Sequence, residues 1–182
     1  MSKKLKKGDW MPDFEVNTAY DQGIKISDLV KRQKKTIFWI LRYVGCRVCR
    51  YDIHLLSQRY QEFLDKGCQV LVVMQSEPEV VRQDLEDAGI PFDMICDPKM
   101  EIYKELEIGS WTSITEEVRA KLKEKAAAAS SCGFQHGKYE GNEEQLPAMF
   151  IVDDTRRVLY AHYAESIVDM PDISDVLKMD VL

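Results

Sequence analysis

Long apolar runs are missing from this chain. No stretch approaches the roughly 18 consecutive apolar residues that a bilayer-spanning helix requires, so the sequence predicts a soluble protein with no membrane partner. An excess of positive charge is missing too. Lys and Arg number 25 against 31 Asp and Glu, a formal net charge of -6, whereas nucleic acids and anionic membranes recruit the opposite balance. No nucleic-acid partner is expected. The one basic stretch, Met1-Ser-Lys-Lys-Leu-Lys-Lys7, runs into Gly8, Asp9 and Trp10 where a secretion signal needs an apolar segment, and reads as a solvated N-terminus. Cysteine dense enough to staple a small secreted domain is also lacking. The five cysteines, at 46, 49, 68, 96 and 132, form an odd and widely spread set, which points to a reducing, cytoplasmic setting. No flavin or nicotinamide motif occurs, so no bound cofactor is implied.

What is present is enough for a core. With 45% hydrophobic residues, the whole chain, 1–182, is expected to be one domain. Thr36 to Leu41 and Gln69 to Met74 read as buried strands, Phe92 to Cys96 as a third, and Pro78 to Ala88 as a charged amphipathic helix stopped by Gly89. From Cys49 the apolar positions Ile53, Leu56, Tyr60 and Phe63 recur at helical steps until Asp65-Lys-Gly67 supplies a stop. Alternation of strands and helices predicts an α/β domain on a mainly parallel sheet. Further helices are expected at Lys99 to Leu106 and Thr115 to Ala129. A polar excursion then covers Ser130 to Gln145, and Met149 to Val152 pairs with Val158 to His162 as a hairpin through an Asp153-Asp154 turn. A last helix is expected around Ile173 to Met179.

The chemistry concentrates at Cys46-Arg47-Val48-Cys49, where a strand turns into the first long helix. A thiolate is the reactive form of cysteine, and an ordinary thiol is only a few per cent ionised at neutral pH. Two features favour the thiolate here: the positive end of the helix, and Arg42, Arg47 and Arg50, all within four residues of Cys46. Residues three apart at a helix start are close enough for a disulfide. Cys46 follows Gly45 at the turn and is expected as nucleophile; Cys49 falls on the buried stripe and is expected as the resolving thiol.

Other arrangements are weaker. Cys132 and His136 could complete a zinc set with the pair, but they lie far along the chain, and arginines beside thiolates compete with a cation. Cys68 and Cys96 sit at strand ends and are expected to be structural, while Cys132 is either a second resolving or regulatory thiol or incidental. His54 and His162 lack sequence-local partners for general-base work.

Several segments carry a resemblance. Gly8-Asp-Trp-Met-Pro-Asp-Phe14, Ile26-Ser-Asp-Leu29, Leu41-Arg-Tyr-Val-Gly-Cys-Arg-Val-Cys-Arg50, Pro91-Phe-Asp-Met-Ile-Cys-Asp-Pro98 and Gly141 to Asp153 resemble the peroxiredoxin-like branch of the thioredoxin-like superfamily, also called the alkyl hydroperoxide reductase/thiol-specific antioxidant family. The resemblance implies a thioredoxin-like fold: a central mixed sheet flanked by helices, with an N-terminal extension and an insertion before the late hairpin. Two positions depart from the family pattern. Tyr43 stands where a Thr or Ser hydroxyl polarises the peroxide, and Trp39 where a proline is usual. Pro147 occupies the place of an active-site arginine and is similar to the thioredoxin cis-proline, so a cis Leu146–Pro147 bond packed on the active site is expected. Arg42 could supply the missing charge beside thiolate and peroxide.

The resemblance implies an enzyme in which Cys46 attacks a peroxide or a disulfide, Cys49 closes the intramolecular disulfide, and an external dithiol such as thioredoxin restores both thiols. A homodimer is a further family expectation. The alternatives are a disulfide reductase without peroxidase activity and a non-catalytic thioredoxin-fold binding module, with or without zinc.

Overall fold

A computed structural model describes residues 3–182; Met1 and Ser2, the first two residues of the basic opening, lie outside it. The chain runs β1 (Glu15–Thr18), β2 (Ile24–Lys25), α1 (Ile26–Leu29), β3 (Lys35–Ile40), α2 (Arg47–Gln58), α3 (Tyr60–Asp65) and β4 (Cys68–Met74). It continues through α4 (Pro78–Ala88), β5 (Met94–Cys96), α5 (Glu101–Glu105), α6 (Glu116–Ser131), β6 (Ala148–Asp153), β7 (Val158–Tyr163) and α7 (Ile173–Leu177). The strands form one seven-stranded sheet in the order β2-β1-β5-β4-β3-β6-β7. The expected α/β architecture with a mixed sheet is what forms. A mainly parallel sheet is not: only β3–β4 and β4–β5 pair in parallel. The N-terminal β1–β2 hairpin and the late β6–β7 hairpin extend the three-stranded centre with antiparallel pairs.

Two apolar layers explain why β3 and β4 are hydrophobic throughout. Side chains alternate across a strand, so Ile37, Trp39 and Leu41 enter the layer shared with α2, α3, α4 and α7. Phe38 and Ile40 enter the opposite layer with α1 and α5. Both faces are buried, as a central strand under helices requires.

The helix predicted as one piece from Cys49 is two. Arg59 leaves helical geometry (φ -116, ψ 11) between α2 and α3. Its guanidinium binds Glu62 at 2.6 and 2.8 Å and the Ser174 hydroxyl at 2.7 Å, so the break is fastened to α7. Periodicity cannot register such a break, because the apolar stripe continues across it. Pro78 at the first helical position and Gly89 in the left-handed region (φ 61) bound α4 as the sequence predicts. Asp153 caps the β6–β7 turn, accepting from the Thr155 and Arg157 amides at 2.8 and 3.0 Å. That makes it a turn residue.

Helix α6 matters most for the site. Thr115 caps it by accepting from the Val118 amide at 3.2 Å, and it packs along α2 through Leu122, Ala126 and Ala129. The Lys125 ammonium holds the Asp52 carboxylate at 2.6 Å, and Arg47 donates to the Ser130 hydroxyl at 3.1 Å. Gly133 (φ 86) ends the helix there and starts the excursion directly over the N-terminus of α2.

Candidate active site

Cys46 and Cys49 are joined as a disulfide, with their Cα atoms 5.3 Å apart. Cys46 is the N-cap of α2, and its sulfur accepts from the Cys49 amide at 3.3 Å, so the helix terminus acts on this atom as expected. Cys49 is buried as expected, and so is Cys46 at the turn. Cys46 is 0% exposed and Cys49 4%. The cause is the excursion at 132–147, which closes over the turn.

The closure is made of specific bonds. Gly137 donates its amide to the Gly45 carbonyl at 2.8 Å, and the Gly45 amide donates to Glu140 Oε2 at 3.2 Å. A Cβ at Gly45 would collide with the Lys138 carbonyl, so this close approach of two backbones requires glycine. The Asn142 amide donates to Gln75 Oε1 at 2.6 Å, and the Gln75 amide donates to the Arg42 carbonyl at 2.7 Å. Phe134 anchors the start of the excursion, edge-on to His54 at 5.5 Å with the Arg50 guanidinium 5.9 Å from its ring centre.

Of the three arginines flanking the pair, only Arg42 reaches the sulfur. Its Nη2 donates to Cys46 Sγ at 3.0 Å, while Nη1 donates to the Glu143 carbonyl at 2.6 Å and to Glu143 Oε2 at 2.8 Å. Burial pulls this guanidinium below its ordinary value, and the Glu143 carboxylate opposes the effect. An arginine so placed stays charged. Arg47 is engaged with α6, and Arg50 forms an ion pair with Asp84 on α4.

Tyr43 does bring a hydroxyl to the site. Its side chain is fully buried and its Oη lies 3.4 Å from His136 Nε2. The same nitrogen is 3.4 Å from Glu143 Oε1, and the His136 ring stacks on Tyr139 with centroids 4.3 Å apart. Sequence reasoning brought His136 to the pair only as a zinc ligand and missed Glu143 and Tyr139. Only the excursion's position before Pro147 signalled that it bordered the site, and no spacing rule links position 43 to positions 136–143.

The cis-proline expectation is overturned. No cis peptide bond occurs among the described residues, so Leu146–Pro147 is trans. The chain is held extended on both sides of this bond. Leu146 donates to the Gly109 carbonyl at 3.0 Å, the Gln145 side chain donates to the Leu146 carbonyl at 3.1 Å, and the Pro147 carbonyl accepts from Ala164 at 3.2 Å. Pro147 is buried one step beyond the Ile40–Ala148 pair, at the site end of β3.

The zinc arrangement also fails. Among the described residues no three His, Cys, Asp or Glu side chains gather as a metal set, and Cys132 is an exposed free thiol. Burial pushes the Cys68 and Cys96 thiols up to about 12, which leaves them structural. His162 finds a partner the sequence reading did not expect: its Nε2 contacts the Asp169 carbonyl at 2.7 Å. This fastens the segment after β7. Among the described residues no helix is long and apolar enough to cross a membrane.

A model of the AhpC/TSA family matches residues 7–161. Among curated proteins, the prostamide/prostaglandin F synthase of Danio rerio is 26% identical over 167 residues, covering 89% of this chain and 81% of the relative. That of Salmo salar is 26% identical over 155 residues, covering 81% and 76%. Among solved structures, peroxiredoxin 6 of Arenicola marina superposes with a TM-score of 0.69 at 13% identity, covering 96% of this chain and 71% of that one. The 2-Cys peroxiredoxin of Plasmodium vivax superposes at 0.66 with 11% identity, covering 96% and 79%. At these identities the superpositions establish the shared fold.

Proposed function

Because the chain belongs to the AhpC/TSA family, we propose that it is a thiol peroxidase in which Cys46 is the nucleophile and Cys49 the resolving thiol. The observation that carries this reading is the Cys46 sulfur, held by the helix terminus and the Arg42 guanidinium with Cys49 already within disulfide reach. In the reduced protein both contacts favour the thiolate. The thiolate attacks the outer peroxide oxygen, the O–O bond breaks, and Cys46 becomes a sulfenic acid. Cys49 then displaces hydroxide, which leaves as water with the Cys49 proton, and the disulfide forms. A thioredoxin-type dithiol restores the two thiols.

The complete burial of Cys46 favours a small electrophile over a folded protein's disulfide. Two relatives are named for a prostaglandin product, which is a lipid, so an organic hydroperoxide belongs beside hydrogen peroxide in the substrate panel. Cytoplasm, a reducing compartment, is the setting that suits such a cycle.

The test is single-turnover oxidation of the pre-reduced protein by hydrogen peroxide, an organic hydroperoxide and a model disulfide. Faster reaction with a peroxide is expected, with Cys46→Ser inert and Cys49→Ser accumulating a trappable sulfenic acid at Cys46. Faster reaction with the disulfide would replace the peroxidase by a disulfide reductase. An unchanged rate in Cys46→Ser would end both.

A further inference from the structure

The peroxidase cycle leaves one proton unassigned. When Cys46 thiolate takes the outer oxygen of R–O–OH, the S–O bond forms with the electron pair of sulfur, and the broken O–O bond leaves its pair on R–O⁻. That alkoxide, or hydroxide when the substrate is hydrogen peroxide, is a poor leaving group unless a proton reaches it in the same step. Arg42 stays protonated at neutral pH and stabilises charge without releasing a proton. The proton must come from another group on the same face of the site.

We infer that His136, carried by the excursion, is the proton donor to the leaving oxygen, and that Glu143 and Tyr43 set its protonation geometry. This rests on the peroxidase reading and assigns it a further catalytic residue. The argument is one of hydrogen-bond roles. His136 Nδ1 lies 2.8 Å from the Gly137 carbonyl, which can only accept, so Nδ1 carries a hydrogen. The exchangeable position is therefore Nε2, and it faces two different partners. Glu143 Oε1, 3.4 Å away and without a hydrogen bond of its own, pairs by charge with the ring when Nε2 is protonated; the Tyr43 hydroxyl at 3.4 Å donates to Nε2 when it is not. The ring keeps a partner in both states, which is what a proton donor that must be reloaded requires.

The connection to sulfur runs through Glu143 and Arg42. Glu143 Oε2 and Cys46 Sγ are bound by the two arms of the same Arg42 guanidinium, at 2.8 and 3.0 Å, while the buried Glu143 Oε1 lies 3.4 Å from His136 Nε2 and has no hydrogen-bond partner. Glu143 thus holds the sulfur's cation with one oxygen and faces the imidazole with the other. The ring is one-third exposed, so solvent can return its proton. Its neighbours with charge or titrating groups are Tyr43 on the turn after β3, Arg42 beside it, and Glu143 and Tyr139 on the excursion.

The step then balances. Cys46-S⁻ plus ROOH plus imidazolium gives Cys46-SOH, ROH and neutral imidazole, and one proton taken up from solvent reloads the ring.

The experiment compares wild type and His136→Gln, both pre-reduced, against peroxides that differ in the basicity of the leaving oxygen: tert-butyl hydroperoxide, hydrogen peroxide and peracetic acid. The variant is expected to slow the first two by about 100-fold, within the range of a lost general acid. Peracetic acid, whose carboxylate leaves without a proton, should stay within about threefold by the same reasoning. Equal slowing of all three would reduce His136 to a structural role, and no slowing of the alkyl hydroperoxide would remove it from the reaction. Tryptic cleavage after Lys138 at the wild-type rate shows that the excursion is still closed in the variant. A wild-type protein inert to every peroxide is a separate outcome, because it overturns the peroxidase reading itself and the donor with it.

Discussion

Gly45→Ala isolates the seal over the disulfide from everything else in the fold. The three atoms nearest a new Cβ all belong to the Lys138 backbone, so no rotamer change relieves the collision and the 136–140 segment must withdraw. Gly45 is not in the left-handed region, so alanine suits its own backbone and the turn between β3 and α2 can persist. Withdrawal breaks two bonds. The Gly137 amide to the Gly45 carbonyl contributes about 0.5 to 1.5 kcal/mol, and the Gly45 amide to the charged Glu140 about 1.5 to 3. Because neighbouring terms do not add fully, we expect a loss of about 2 to 3 kcal/mol. At 1.4 kcal/mol per tenfold, that raises the open population about 30- to 150-fold. Native-state trypsin digestion reads it directly, since cleavage after Lys138 tracks the open fraction when opening and closing are fast. The thermal midpoint should fall by about 4 to 12 °C, because the closed native state loses the same 2 to 3 kcal/mol against the unfolded chain. Cleavage accelerated less than about threefold would refute the assignment of these bonds as the seal.

Three further outcomes follow from the same geometry. Arg42→Lys should slow peroxide reaction about tenfold or more, measured by stopped flow, because an ammonium cannot reach both Cys46 Sγ and the two Glu143 oxygens. Burial raises Asp52 above its ordinary 3.8 although Lys125 opposes it. The folded state therefore holds that proton more tightly, and the contribution is present at low pH and lost as pH rises through the raised value. Thermal melts of Asp52→Asn across pH 4 to 7 should accordingly show a shallower decline with rising pH than wild type. In the oxidised native protein a maleimide at pH 7 should label Cys132 alone, since Cys68 and Cys96 are buried and pushed up to about 12. Peptide mapping that finds either modified would contradict their burial.

Local rules carried the sequence reading a long way, and topology limited it. Pro78, Gly89 and the apolar run of β4 bound their elements because capping and burial on both faces leave marks within a few residues. The Cys46–Cys49 pair was legible for the same reason. Arg59 was not, because a helix break between two in-phase stripes leaves no mark in the pattern. The trans Leu146–Pro147 bond was not legible either, since the segment's partners, Gly109 and Ala164, are distant in sequence. Glu143 and Tyr139 stayed invisible as site residues, and His136 was singled out only as a zinc ligand, because a polar, Gly-containing segment predicts a loop without predicting what the loop covers.

The Asn142–Gln75 bond divides the excursion into two mechanical units. Residues 143–147 are tied down by Arg42 and the Gln145 clamp and behave as a jamb; residues 134–140, held at Gly45 and by the Phe134 contacts, behave as a door. Displacing residues 134–140 would carry away His136 and Tyr139 but leave Glu143 on the guanidinium. An open site would then differ chemically from the closed one, with its sulfurs accessible to a bulky dithiol and its imidazole withdrawn. One hinge would sort the two halves of a redox cycle by the size of the visitor.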